Sequence, residues 1–85
     1  MKLFKSVDEQ LADIGFKKIT EDELGLVTTP VYERYERGFK YTHVLEICKK
    51  HEGESVVFSY EKGGNNIVGL TETELKLALK KMKEL

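Results

Sequence analysis

From Phe39 to Lys50 apolar and polar residues alternate. Phe39, Tyr41, His43, Leu45 and Ile47 occupy the odd positions, and Lys40, Thr42, Val44, Glu46 and Cys48 the even ones. A period of two belongs to a strand with one buried face, because successive side chains leave a strand on opposite sides. Ser55–Lys62 alternates in the opposite phase, through Val56, Phe58 and Tyr60, and the run before it places Val27, Val31 and Tyr35 at odd positions. Three such runs in succession, separated by short glycine-containing segments, predict an antiparallel meander.

The turns predict a register. A one-residue slip exchanges the two faces of a strand, so loop parity decides which side chains meet. Glu36-Arg37-Gly38 reads as a three-residue loop with glycine last, where a left-handed conformation is needed. That loop sets Tyr35 opposite Phe39, Thr29 opposite Leu45 and Val27 opposite Ile47. Glu52-Gly53 reads as a two-residue turn, setting Ile47 opposite Phe58 and Leu45 opposite Tyr60. Phe39, Tyr41, Leu45 and Ile47 are then expected to face inward. Tyr32, Arg34, Lys40, Thr42, Glu46, Ser59 and Glu61 are expected on the open face, around an apolar strip of Val44, Cys48 and Val57.

Both ends of the chain have helical spacing. Phe4, Val7, Leu11 and Ile14 recur every three or four residues, with Ser6 and Glu9 at capping-box spacing. Gly15 is expected to end this helix, and Phe16 to fold back onto Leu11 in a Schellman arrangement. Phe16–Thr20 reads as a short strand, Glu21-Asp22-Glu23 as an exposed turn and Gly25 as a hinge. Pro30 lacks an N–H and is expected at a strand start, a bulge or an edge. Near the C-terminus Thr71 and Glu74 form a second capping box. Leu75, Ala78, Leu79, Met82 and Leu85 give an inward stripe that leaves Leu77 exposed. The whole chain, residues 1–85, reads as one α+β domain: an N-terminal helix, a three- to four-stranded antiparallel meander and a C-terminal helix, both helices on one face of the sheet.

Charge narrows the partners. Fourteen basic and fifteen acidic side chains give a net charge of −1. The signs are mixed along the chain, without the excess that marks a binder of polyanions. One cysteine excludes an internal disulfide and suits a reducing compartment. No signal-peptide core or membrane-length apolar run is present, so a cytoplasmic location is expected.

Motifs for chemistry are weak. His43, Cys48, His51 and Glu52 suggest a metal set, but zinc ligands must converge on one point. His43 and Cys48 alternate to opposite faces, and His51 lies roughly 26 Å along an extended chain from His43. The same geometry separates cysteine from histidine as a nucleophile–base pair. Lys62-Gly63-Gly64-Asn65-Asn66 has its lysine before the glycines and is remote from the next helix start, so it reads as a linker rather than a phosphate loop. Arg37-Gly38-Phe39-Lys40-Tyr41 partly matches the RNP1 pattern of RNA-recognition motifs, departing at Lys40 and Thr42. The expected register turns its aromatics away from the open face, where stacking would occur. No catalytic residue, metal or cofactor is assigned.

Three readings of function remain, the third being a small enzyme with an unrecognised site. The first is a non-enzymatic protein-interaction module, with self-association possible, binding through Tyr32, Arg34, Lys40, Val44, Cys48, Val57 and Leu77. The second is a nucleic-acid binder using Tyr32, Arg34, Arg37 and Lys40. The segment Leu11-Ala12-Asp13-Ile14-Gly15-Phe16-Lys17-Lys18-Ile19 resembles the opening of small uncharacterised proteins of phages and prophages in Gram-positive bacteria. Leu70–Leu75 through Lys81–Leu85 resembles their closing helix. That resemblance implies an accessory protein and carries no functional residues.

Overall fold

A computed structural model describes residues 4–64 and 66–85. Along the chain run α1 (Val7–Asp13), β1 (Lys17–Leu24), β2 (Val27–Glu36), β3 (Tyr41–Lys50), β4 (Val56–Glu61) and α2 (Glu72–Glu84). The strands form one antiparallel sheet in the order β1-β2-β3-β4, as the meander reading expected. Both helices pack on one face of it. Val7 and Leu11 of α1 and Leu77 and Ala78 of α2 meet Phe16, Tyr32, Leu45 and Ile47 in a single core.

The helix ends follow from local chemistry. Ser6 accepts a hydrogen bond from the Glu9 amide, and the Glu9 carboxylate accepts one from the Ser6 amide; Thr71 and Glu74 do the same at α2. Gly15, at φ +96°, closes α1: its amide donates to the Ala12 carbonyl and the Phe16 amide to the Leu11 carbonyl. That is the Schellman pair, and Phe16 and Leu11 are both buried beside it.

Both hairpin registers differ from expectation. The β2–β3 loop has four residues, Arg37–Lys40, closed by the Lys40 amide on the Glu36 carbonyl at 2.7 Å. Lys40, not Gly38, takes the left-handed conformation, at φ +56°. Odd residues of β2 therefore meet even residues of β3: Tyr35 pairs with Thr42, and Tyr32 with Leu45. The β3–β4 connection is longer than the two residues Glu52-Gly53. Its His51 amide is drawn to the Leu26 carbonyl and its Ser55 hydroxyl accepts from the Lys50 amide. Ile47 then pairs with Val57, and Leu45 with Ser59. In β3 the expected inward placement of Leu45 and Ile47 holds, whereas β2 and β4 are each reversed. Phe39 lies in the loop, 81% exposed, and Tyr41 is half-buried at the end of the sheet.

Three further expectations are corrected. Glu21-Asp22-Glu23 continues β1 to Leu24, and Gly25, at φ +60°, opens a two-residue turn. Pro30 sits buried within interior strand β2, where the pairing to β3 passes from Thr28–Lys49 to Val31–Glu46 without it. Lys62–Asn66 is not a free linker: Gly64 donates to the Glu61 carbonyl, and Glu61 to the Asn66 carbonyl. Asn65 of that segment and the N-terminal Met1-Lys2-Leu3 lie outside the described residues. Among the described residues no helix is long and apolar enough to cross a membrane.

Candidate functional site

The helix-covered side of the sheet carries a polar hub built on Arg34. Its Nε donates to Glu36 at 2.6 Å, Nη1 to the Ile14 carbonyl at 3.0 Å, and Nη2 pairs with Glu74 at 2.7 Å. The guanidinium lies 4.3 Å above the Phe16 ring, a cation–π contact. A side chain at Gly15 would meet Arg34 Cδ at 2.9 Å, a second reason for glycine there. Burial opposes the charge on Arg34, but Glu36 and Glu74 outweigh it and raise its pKa. Burial works against the Glu74 charge too; the Thr71 amide and Arg34 prevail and lower that pKa. Arg34 thus ties the end of α1 and the start of α2 to β2.

His43 lies beneath this hub, with 1% of its surface exposed. Its Nε2 shares a hydrogen bond of 2.6 Å with Ser59 Oγ, and its ring meets Phe16 edge-on at 5.0 Å. Among the described residues Nδ1 has no hydrogen-bond partner, and it stands 3.8 Å from Glu36. Burial first, and then the Arg34 charge, lower the His43 pKa. Ser59, His43 and Glu36 stand in the order of a nucleophilic relay. Glu36, however, is committed to Arg34, and among the described residues no cavity is present in which a carbonyl could reach Ser59. The cluster lies between sheet and helices, packed edge-on against Phe16.

A second polar tie anchors the other end of the helix layer. Tyr32 is fully buried, and its hydroxyl donates to Asp8 at 2.5 Å; Lys81 of α2 reaches the same carboxylate at 3.2 Å. Burial and then the Asp8 hydrogen bond raise the Tyr32 pKa. These ties set the rotation of α2. Glu74, Leu77, Ala78 and Lys81 face inward, and Leu75 and Leu79 are left 44% and 45% exposed.

Among the described residues no helix covers the opposite face of the sheet. Pairing places Val31, Glu33 and Tyr35 of β2, Thr42, Val44, Glu46 and Cys48 of β3, and Val56, Phe58 and Tyr60 of β4 on this side. Tyr35 is 58% exposed and Phe58 48%. Val44 is nevertheless only 3% exposed. Its cross-strand neighbours are Glu33 and Tyr60; Glu33 is held by Lys62 at 3.2 Å, and the Tyr60 hydroxyl donates to Glu46. Those long side chains roof the valine. The Glu46 bond first, then burial, push the Tyr60 pKa up to about 12.

The partner surface expected from sequence is mostly displaced. Tyr32 and Leu77 belong to the core, Val57 packs against it from the helix side, and Arg34 is consumed by its ion pairs. Val44 is on the expected face but roofed. Lys40 is exposed in the loop, and Cys48 is a half-buried free thiol on the uncovered face. Arg37, the other basic residue of the nucleic-acid set, is exposed beside Lys40. His51 stands at the far end of the sheet, its Nε2 3.3 Å from Thr28 Oγ1. Among the described residues no three His, Cys, Asp or Glu side chains are grouped to hold a metal ion.

Fold and surface together define a two-layer α+β domain with one bare sheet face. Comparison with family models, curated proteins and solved structures gives no match in any of the three.

Proposed function

We propose that the chain is a non-enzymatic protein-interaction module, of the accessory kind its two ends resemble, that binds a protein partner through the uncovered sheet face. The supporting observation is the row of Tyr35, Val31, Phe58, Val56 and Cys48 on a face without a second layer. An antiparallel sheet that simply faces water carries polar residues there, and exposed apolar clusters with a polar rim mark docking surfaces. Glu33 with Lys62 supplies part of such a rim, and Glu46 lies within the row between Val31 and Phe58, its carboxylate held by Tyr60. The lone half-buried thiol of Cys48 fits a reducing interior. The test is retention of a partner by immobilised protein, wild type against Phe58→Ser. The expected result is a protein held by the wild type and lost by the variant at unchanged melting temperature. Equal retention by both, or none by either, removes the reading.

Nucleic acid is the second reading, favoured by Tyr35, Phe58 and Tyr60 on the open face with Arg37 and Lys40 in the adjoining loop. Single strands stack on aromatic platforms of this kind. The carboxylates of Glu33 and Glu46 among those rings oppose it. A gel shift with single-stranded RNA at low salt decides, and no shift ends it.

A further inference from the structure

The two edges of the sheet are finished differently. At β4 the segment Asn66–Val68 covers the edge: Ile67 pairs with Tyr60, Val68 donates to the Ser59 carbonyl and Glu61 to the Asn66 carbonyl. At β1 all eight residues are exposed, and among the described residues nothing lies alongside. An open edge is usually kept single by charge, most often lysine, or by a bulge. β1 has both, but its charges are sorted by sign: Lys17 and Lys18 at one end, Glu21, Asp22 and Glu23 at the other.

A bulge at Ile19 makes that sorting fit a two-fold axis. Pairing with β2 passes from Lys18–Tyr32 to Thr20–Val31, so Ile19 is the extra residue. On the uncovered side of the sheet stand Lys17, Thr20, Asp22 and Leu24, opposite Glu33, Val31, Thr29 and Val27; on the helix side stand Lys18, Glu21 and Glu23. The 2.7 Å ion pair between Lys18 and Glu21 of one chain bears out that these two share a face. An antiparallel copy related by a two-fold axis through Thr20 sets Thr20 against Thr20, Lys18 against Glu21 of the copy, and Lys17 against Asp22 of the copy. Every pair falls on a matching face. Lys18 and Glu21 of the two chains then form an alternating square of four charges. Lys17 and Asp22, which have no ion-pair partner within the described residues, gain one each. A strand protected by a single sign would repel its own copy; this one attracts it.

We propose that β1 pairs antiparallel with β1 of a second copy through this two-fold charge pattern, joining two four-stranded sheets into one of eight. The inference concerns the edge and does not rest on the uncovered face. Edge pairing of one short strand buries little area and relies on solvent-exposed ion pairs, so the dimer is weak and salt-sensitive.

Sedimentation from micromolar to millimolar protein, at low and high salt, tests it. The expected result is association of the wild type that rises with concentration and falls with salt. Two reversed chains are then compared: Lys17→Glu with Lys18→Glu, and Glu21→Lys with Asp22→Lys. Each alone should self-associate at least about tenfold more weakly, since it sets like charges together, and an equimolar mixture should associate one to one. The single variants Lys17→Glu and Asp22→Lys disturb no ion pair within the chain and repeat the test if a double variant fails to fold. A wild type that stays monomeric at low salt overturns the proposal. So does a dimer indifferent to both reversals. If that dimer is lost in Phe58→Ser, association belongs to the uncovered face, and the proposed function survives the failure of the edge.

Discussion

Leu45 and Val44 are consecutive residues of β3, both almost completely removed from water, and they are buried by opposite means. Leu45 faces an apolar layer supplied by α1, α2 and Phe16. Val44 faces outward and is covered only by neighbours whose polar ends are tied together, Glu33 to Lys62 and Tyr60 to Glu46. The first arrangement is a packed interior. The second is a surface that has roofed itself with four long side chains. Burial in this protein therefore does not mark a single core, and the two faces should respond differently to the same insult.

Truncating both residues separates the two modes of burial most strongly. Leu45→Ala leaves a cavity that the helix layer cannot collapse around, and about 3 kcal/mol of stability should be lost. Val44→Ala removes less, and the roof can sink or admit water, so about 1 kcal/mol is expected. Urea unfolding midpoints of the two variants measure the difference. Equal losses would show that the uncovered face is as rigidly packed as the other.

Breaking the Arg34 hub should have the next largest effect. Arg34→Ala strands the Glu74 carboxylate, 6% exposed, without its guanidinium, and removing one partner of such a buried pair is costly. With Glu74 also bonded to Thr71 and some solvent near Arg34, about 2 kcal/mol is expected. Arg34→Met with Glu74→Leu should recover most of it, since an apolar pair of similar volume often replaces a buried ion pair without loss. Thermal melts of the single and double variants measure this. No recovery would mean that the pair contributes chiefly through what the double variant also removes, the Arg34 bonds to Ile14 and Glu36 and the Glu74 cap on Thr71.

How far the chain could be read in advance follows the same division. Capping boxes, the Schellman ending and the meander were legible because each rests on residues a few positions apart. So was the inward side of β3, whose alternation is strong. β2 was not, because its two faces read alike: Glu33 interrupts one and Tyr32 sits on the other. Loop parity then had to decide, and it is fixed by events that glycine placement does not report. Lys40 takes the left-handed conformation and the His51 amide is captured by Leu26. The rotation of α2 was hidden for a related reason. Glu74 and Lys81 lie on its inward seam because Arg34 and Asp8, far off in sequence, meet them there. The site suffered most, since every residue assigned to a face inherited the register of its strand. An odd acidic residue inside an apolar set, as Glu33 is, was the one signal that β2 could lie the other way.

Acid acts at first on the helix side alone. His43 is held neutral: its pKa lies below the ordinary 6.5 because of burial and the nearby Arg34 charge. Between 6.5 and that lowered value the unfolded chain binds a proton that the folded one refuses, so stability falls as pH falls. The loss is at most about 1.4 kcal/mol per pH unit. Glu74 and Asp8 add to it only at lower pH, because their lowered pKa values release stability below the ordinary 4.5 and 3.8. In the protonated ring both nitrogens are donors and the charge stands 3.8 Å from Glu36 at Nδ1, which partly offsets the burial of charge and keeps the slope shallow. Unfolding midpoints from pH 7 to 5 should decline in the wild type and stay level in His43→Leu, whose lower starting stability, from the unpaired Ser59 hydroxyl, does not affect the slope. A level wild-type profile would mean that His43 takes up its proton as readily folded as unfolded, with Glu74 and Glu36 balancing burial and the Arg34 charge.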